Sequence, residues 1–314
     1  MTEESSDDEE LPARTLEETL ARLERGAADR RDEAIEFSFR HIGDAGAALF
    51  ADALRASATV ASLSLQGNSI GPKGAGVLAD ALRGNTCLLR LDLYGNYVGN
   101  EGAAALGAAL GGTGNNSTLR SLSLQCCSIG AAGAAPLAAM LRENVNLQSL
   151  KLGDNQVGAA GAAALALALR CNRTLQALNL NNNKIGDEGL GHVAEALSRA
   201  DSGGGGGGAA GTAGALRCLW LYDTGATSGG VARLASALRT NRSLQWLFIC
   251  EDGVEEALLA DIAEALERNK AEGRARAARA HMSALRIHRF WRDVCFDPSY
   301  VHARQRILRC CALD

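Results

Sequence analysis

One feature constrains this chain more than any other: a unit of 28 residues recurs along it. Compare LSLQGNSIGPKGAGVLADALRGN from Leu63 with LKLGDNQVGAAGAAALALALRCN from Leu150. Both read L-x-L-x-x-N-x-(I/V)-G-x-x-G-A, then a Leu/Ala stretch, then Asn. Units begin at Asp32, Val60, Leu88, Leu119, Leu147, Leu175, Leu216 and Leu244, and five of the seven spacings are 28 residues. The two longer spacings, 31 and 41, hold Gly-rich insertions at 111–116 and 201–214. A fixed period of this length predicts a solenoid, in which each unit buries its apolar face against its neighbours.

Each part of the unit has a physical task. In L-x-L, alternate residues such as Leu63 and Leu65 point inward, which predicts a short strand. The Asn two residues before the Ile/Val (Asn68, Asn96, Asn155, Asn183) can bond neighbouring backbone inside the turn. Arg40, Cys127, Thr224 and Asp252 occupy that place in the other units. The Gly pair, such as Gly71 and Gly74, lets the chain turn and lets a helix approach its neighbour. Ala75–Arg83 then repeats Leu and Ala at helical spacing, which gives one apolar stripe.

This pattern resembles the ribonuclease-inhibitor-like class of leucine-rich repeats, over about 240 of the 314 residues. The resemblance implies an α/β fold: a right-handed horseshoe solenoid of eight repeats, with parallel strands on the concave face and helices on the convex face. It implies little about function, because such a fold hosts many partners.

The chain divides into three parts. Residues 1–31 hold an acidic start, expected to be disordered, and a capping helix from about 15, signalled by the capping box Thr15-Leu16-Glu17-Glu18 and by Leu16, Leu20 and Leu23. Residues 32–270 form the solenoid, with the insertion 201–214 as an external loop. Residues 271–314 form a basic cap, helical over Ala271–Leu285 and irregular around Phe290, Trp291 and Phe296. A calmodulin-target or membrane-surface helix explains the basic residues of 275–293 less simply than such a cap.

The chemistry expected is that of a binder. The chain carries no GxxxxGK[ST], HExxH or GxSxG. GNSIGPKG at 67–74 is the repeat's own turn, since a phosphate loop needs Ser or Thr after its Lys. The five histidines form no metal-ligand pair with a cysteine, so neither metal nor cofactor is expected. Nine cysteines without CxxC, behind the acidic start MTEESSDDEE, predict reduced thiols in a cytoplasmic or nuclear protein. The vicinal pair Cys126–Cys127 is read as structural, and the sequons at Asn115, Asn116, Asn172 and Asn241 as without glycosylation meaning. No run of 18 apolar residues exists, so no membrane span is expected.

The concave face carries the sharper signal. In a unit starting at s, residues s+2, s+4 and s+6 face that side. These are Ser62, Ser64, Gln66; Arg90, Asp92, Tyr94; Ser121, Ser123, Gln125; Ser149, Lys151, Gly153; and Ala177, Asn179, Asn181. The last two units differ: Cys218, Trp220, Tyr222, then Trp246, Phe248, Cys250. Register makes Trp220 the neighbour of Phe248, and Trp246 that of Cys218. Trp220, Tyr222, Trp246 and Phe248 are therefore the main candidates to bind a protein partner, with Arg90, Asp92 and Tyr94 secondary. The face has no basic stripe, which argues against nucleic acid.

The expected function is a non-catalytic protein-interaction scaffold. The rival is a GTPase-activating protein resembling the Ran GTPase activator, which has the same repeat class and would take a small GTPase as partner. Arg40 lies in one of the early strand-to-helix loops that the family uses, but it sits at the ladder position of an irregular first unit. The acidic segment that follows the repeats in that family is missing, and this C-terminus is basic. A fragment of an immune-type receptor is a third reading, weakened by the lack of a nucleotide-binding motif.

Overall fold

The structure, a computed structural model, describes residues 16, 18–20, 33–112, 116–199, 215–250 and 253–279. Strand and helix alternate through them. β1 (Glu33–Glu36) leads to α1 (Gly43–Ala56), β2 (Val60–Ser64) to α2 (Pro72–Gly84), and β3 (Arg90–Asp92) to α3 (Gly99–Leu110). β4 (Ser121–Ser123) leads to α4 (Ala131–Glu143), β5 (Ser149–Lys151) to α5 (Gly158–Leu169), and β6 (Ala177–Asn179) to α6 (Gly186–Arg199). β7 (Cys218–Leu221) leads to α7 (Ser228–Leu238), and β8 (Trp246–Ile249) to α8 (Glu256–Arg279). The strands form one parallel sheet in chain order, β1 to β8. The eight expected units are thus the eight strands, paired in the expected register.

The core lies between sheet and helices. Its strand side is the alternate leucines, such as Leu91, Leu93, Leu150 and Leu152, all buried. Its helix side is the Leu/Ala stripe: in α2 the buried positions are Gly74, Ala75, Leu78, Ala79, Ala81 and Leu82. Two glycine roles recur. Gly99 takes φ +63 at the start of α3, a conformation side chains resist. A Cβ on Gly102 would stand 2.9 Å from the Ala75 Cβ of the previous helix, so this close approach needs hydrogen there.

Two asparagine ladders tie the units together. In the first, Asn96 donates through Nδ2 to the carbonyls of Leu65 (2.9 Å) and Leu93 (2.8 Å). Its Oδ1 accepts from the backbone N–H groups of Asn68 (3.0 Å) and Ile70 (2.9 Å). The second uses the Asn after each helix, which the sequence shows without its task. Asn85 accepts from the N–H groups of Cys87 (3.0 Å) and Leu88 (2.7 Å) and donates to the Leu54 carbonyl (2.8 Å). It thereby satisfies a helix-end carbonyl of the preceding unit that would otherwise lack a partner. Asn116, Asn172 and Asn241 are buried members of this ladder, which is why their sequons are inaccessible. Asn241 reaches back to the Leu197 carbonyl (3.0 Å), so the ladder bridges the 201–214 insertion. That insertion lies outside the described residues.

Helix starts are also shared between units. Asp44 accepts from the N–H groups of Gly71 (2.7 Å) and Gly74 (2.9 Å), capping α2 from the unit before. Asn100 does the same for Gly130 (2.8 Å), ahead of α4, and Asp187 for Thr227 (2.7 Å), ahead of α7.

At the N-terminal end, residues 16 and 18–20 are helical, and Leu16 and Leu20 pack against the core. Thr15, Glu17 and residues 1–11 lie outside the described residues. At the other end the expected boundary at 270/271 falls inside a helix. The helix expected from Ala271 is the continuation of α8, which starts at Glu256 and runs unbroken to Arg279. Asn269 still makes the ladder bond to the Leu244 carbonyl (2.8 Å). The residues after this Asn are of another kind: N-R-S-L beyond α7 becomes N-K-A-E-G-R-A-R here, and Lys, Ala, Glu and Arg are strong helix formers. Residues 280–314, including the Phe290, Trp291 and Phe296 segment, lie outside the described residues.

Candidate functional site

β7 and β8 each present alternate side chains to the concave side. Their pairing sets Cys218 beside Trp246 and Trp220 beside Phe248. The Trp220 and Phe248 rings stack with centroids 5.5 Å apart and planes 7° from parallel. Tyr222 is 49% exposed, and Trp246 and Phe248 are each 43% exposed. The inward residues of β7, Leu219 and Leu221, are buried, whereas those of β8, Leu247 and Ile249, are half-buried.

The surroundings fix the rings differently. The Tyr222 N–H donates to Asn181 Oδ1 (2.8 Å), which ties β7 to the Asn-rich turn of the previous unit. Lys270, on α8, holds Nζ 4.1 Å from the Trp246 ring centroid, a cation–π contact. The same ammonium donates to Glu267 Oε1 (2.7 Å). Lys270 is the site residue that the sequence did not announce. Its one signal is its place directly after the ladder Asn269. Cys218 is buried and adds no surface to the patch.

The secondary candidates divide. Arg90 is exposed, and Asp92 is half-buried and accepts from Gln66 Nε2 (2.8 Å) and the Tyr94 N–H (2.9 Å). Tyr94 is a correction: it is only 4% exposed and offers no ring to a partner. It sits at the strand end between Gln66 and Gln125, which hold the same position in the flanking units. The other concave positions are small or polar, and Ser64, Ser123, Ser149 and Asn179 are buried.

Arg40 is exposed, with its backbone N–H on Asn68 Oδ1 (2.8 Å) and its guanidinium 5.9 Å from the Phe37 ring centroid. Cys127 is buried, and its thiol donates to the Leu93 carbonyl (3.2 Å), as the ladder Asn does elsewhere. Burial pushes that thiol above its ordinary value, which disfavours the thiolate. Among the described residues, no group of three or more His, Cys, Asp or Glu could hold a metal ion. No described helix is long and apolar enough to cross a membrane.

The family model described as "Leucine Rich repeat" matches residues 56–79, 84–107, 115–138, 143–166 and 171–193. No curated protein matches the chain. The solved structures it resembles include leucine-rich-repeat-containing protein LegL7 from Legionella pneumophila, at 17% identity, with 81% of this chain and 77% of that one covered and a TM-score of 0.48. Leiomodin-1 actin-binding site 2 is similar at 14% identity, covering 86% of this chain and 97% of that one, TM-score 0.37. The tropomodulin C-terminal domain of Caenorhabditis elegans is similar at 12% identity, 84% and 98% coverage, TM-score 0.36. Each matched segment starts four residues before one of the units that begin at Val60, Leu88, Leu119, Leu147 and Leu175, and these five units are leucine-rich repeats.

Proposed function

We propose that this chain is a non-catalytic scaffold that binds a protein partner on the concave face of β7 and β8. One observation carries the reading: three large rings, Tyr222, Trp246 and Phe248, stand exposed together where the other units place small or polar side chains. Exposed apolar patches on proteins mark interaction sites, and Trp and Tyr are enriched where binding energy concentrates. The glycine-rich turns are accounted for by the repeat.

Affinity capture tests the reading. The intact chain and its Trp246→Ala/Phe248→Ala variant are used as baits, and captured proteins are quantified by mass spectrometry. A partner retained by the intact chain and lost by the variant supports the concave patch. Identical captured sets from both baits would overturn it.

A further inference from the structure

The parallel helices give the two rims of the sheet opposite chemistry. The rim at the helix starts carries Asp154, Asp187, Glu188 and Asp223 over units five to seven, with one lysine, Lys184. The rim at the helix ends carries arginines. Helix dipoles account for part of this, since carboxylates favour helix starts and cations helix ends. They do not account for Arg120 and Arg173, which lie beyond the helices, at or just before the next strand.

These cations converge in the middle of the second rim. Arg142 lies in the last turn of α4, and Arg170, 28 residues on, caps α5. Arg120 reaches forward and donates through Nη1 to the carbonyl of Asn146 (3.1 Å) and to its Oδ1 (2.8 Å). Its guanidinium therefore lies next to Val145, whose counterpart one unit on is Arg173. Glu143 is the only carboxylate within this set of positions. Elsewhere on the rim, Arg55 is ion-paired with Asp52, Arg83 with Asp80 at 3.6 Å, and Arg239 with Asp261 at 3.0 Å. Val145, 72% exposed, places an apolar spot among the cations.

We propose that Arg120, Arg142, Arg170 and Arg173, with Val145 between them, form a second interaction surface that takes an acidic polypeptide segment bearing an apolar residue. Charge complementarity selects the acid, and the planar guanidinium fork suits carboxylates. Single-stranded nucleic acid is disfavoured, because no Phe, Tyr or Trp for bases to stack on occurs between Tyr97 and Trp220, the stretch that supplies these arginines. The surface is independent of the aromatic patch.

The test uses the full chain and a fluorescein-labelled Glu/Leu peptide, read by anisotropy at low and physiological salt. Binding that weakens with salt is expected. Arg142→Gln/Arg170→Gln/Arg173→Gln should weaken it roughly tenfold, each charge being worth a few-fold. Arg55→Gln/Arg83→Gln/Arg239→Gln removes the same charge from paired arginines and should change it by less than about twofold. Trp246→Ala should leave it unchanged, so the two surfaces stand or fall separately. Equal losses from both arginine triples would reduce the effect to net charge and overturn the proposal. Equal or tighter binding of a single-stranded oligonucleotide of the same charge would overturn the polypeptide assignment. Peptide binding seen only after the acids at 3–10 are changed to amides would mean that the chain's own start fills the rim, and would overturn an external partner.

Discussion

Units five and eight share one strand formula and differ in what they leave open. In unit five, Leu150 and Leu152 are buried, and the concave positions hold Ser149, Lys151 and Gly153. In unit eight, Leu247 and Ile249 are only half-buried, and the concave positions hold Trp246, Phe248 and Cys250. The formula asks for apolar residues at the inward positions alone, so the outward ones are free to serve another purpose. Position in the stack explains the rest. An interior unit is covered from both sides, whereas β8 is the last strand of the described sheet.

The largest test of this contrast is in the core. Leu150→Ala should destabilise by about 3 kcal/mol, the usual cost of a cavity in a closely packed site. Leu247→Ala should cost about half of that, because its side chain is only partly removed from water. Urea unfolding of both variants checks the ratio. Equal losses would mean that the end of the stack is as closed as its middle.

Asn155→Ala should come next at about 2 kcal/mol. It strands the Leu124 carbonyl and the N–H groups of Cys127 and Ile129, all bonded to one buried amide, while the Leu152 carbonyl keeps its bond from Asn183 Nδ2 (2.7 Å). The same measurement reads it, and a loss below about 0.5 kcal/mol would show that the ladder is incidental to stacking.

The inward pattern and the register were legible in the sequence because a period of 28 residues leaves little freedom once L-x-L is placed. The neighbours Trp220 and Phe248 emerged from counting alone. The burial of Tyr94 was not legible, because a repeat formula gives a side chain's direction but not the bulk of what flanks it. The shared helix caps were missed for a related reason. Asp44 and Asp187 look like ordinary first-turn acids until the next unit is stacked beside them. The extension of α8 was hidden because the ladder Asn269 promised a turn, and the helix formers after it override that turn.

Smaller effects sharpen the view of the end unit. Lys270→Gln removes the cation over Trp246 and should cost no more than about 0.5–1 kcal/mol. It should also change the tryptophan emission, and an unchanged spectrum would place the ammonium away from the ring. Thr227→Val tests a shared cap. The Thr227 hydroxyl and N–H hold the Asp187 carboxyl below its ordinary value of 3.8. A lowered folded value means that this bond's stabilisation is complete above the ordinary carboxylate range and is lost as pH falls through the folded value. The variant should move the Asp187 titration midpoint upward by NMR, and no movement would remove the hydroxyl as its cause.

On the proposed function, the concave rings serve a partner and not the fold. It is tested most directly by measuring two quantities on one variant, Trp246→Ala/Phe248→Ala: the affinity for a partner captured by the intact chain, and the urea unfolding midpoint. Binding should fall by about 2 kcal/mol or more while stability changes by less than about 1 kcal/mol, as expected for rings that stand exposed. A collapse of stability with binding intact would contradict the claim and make the rings part of the solenoid's C-terminal closure.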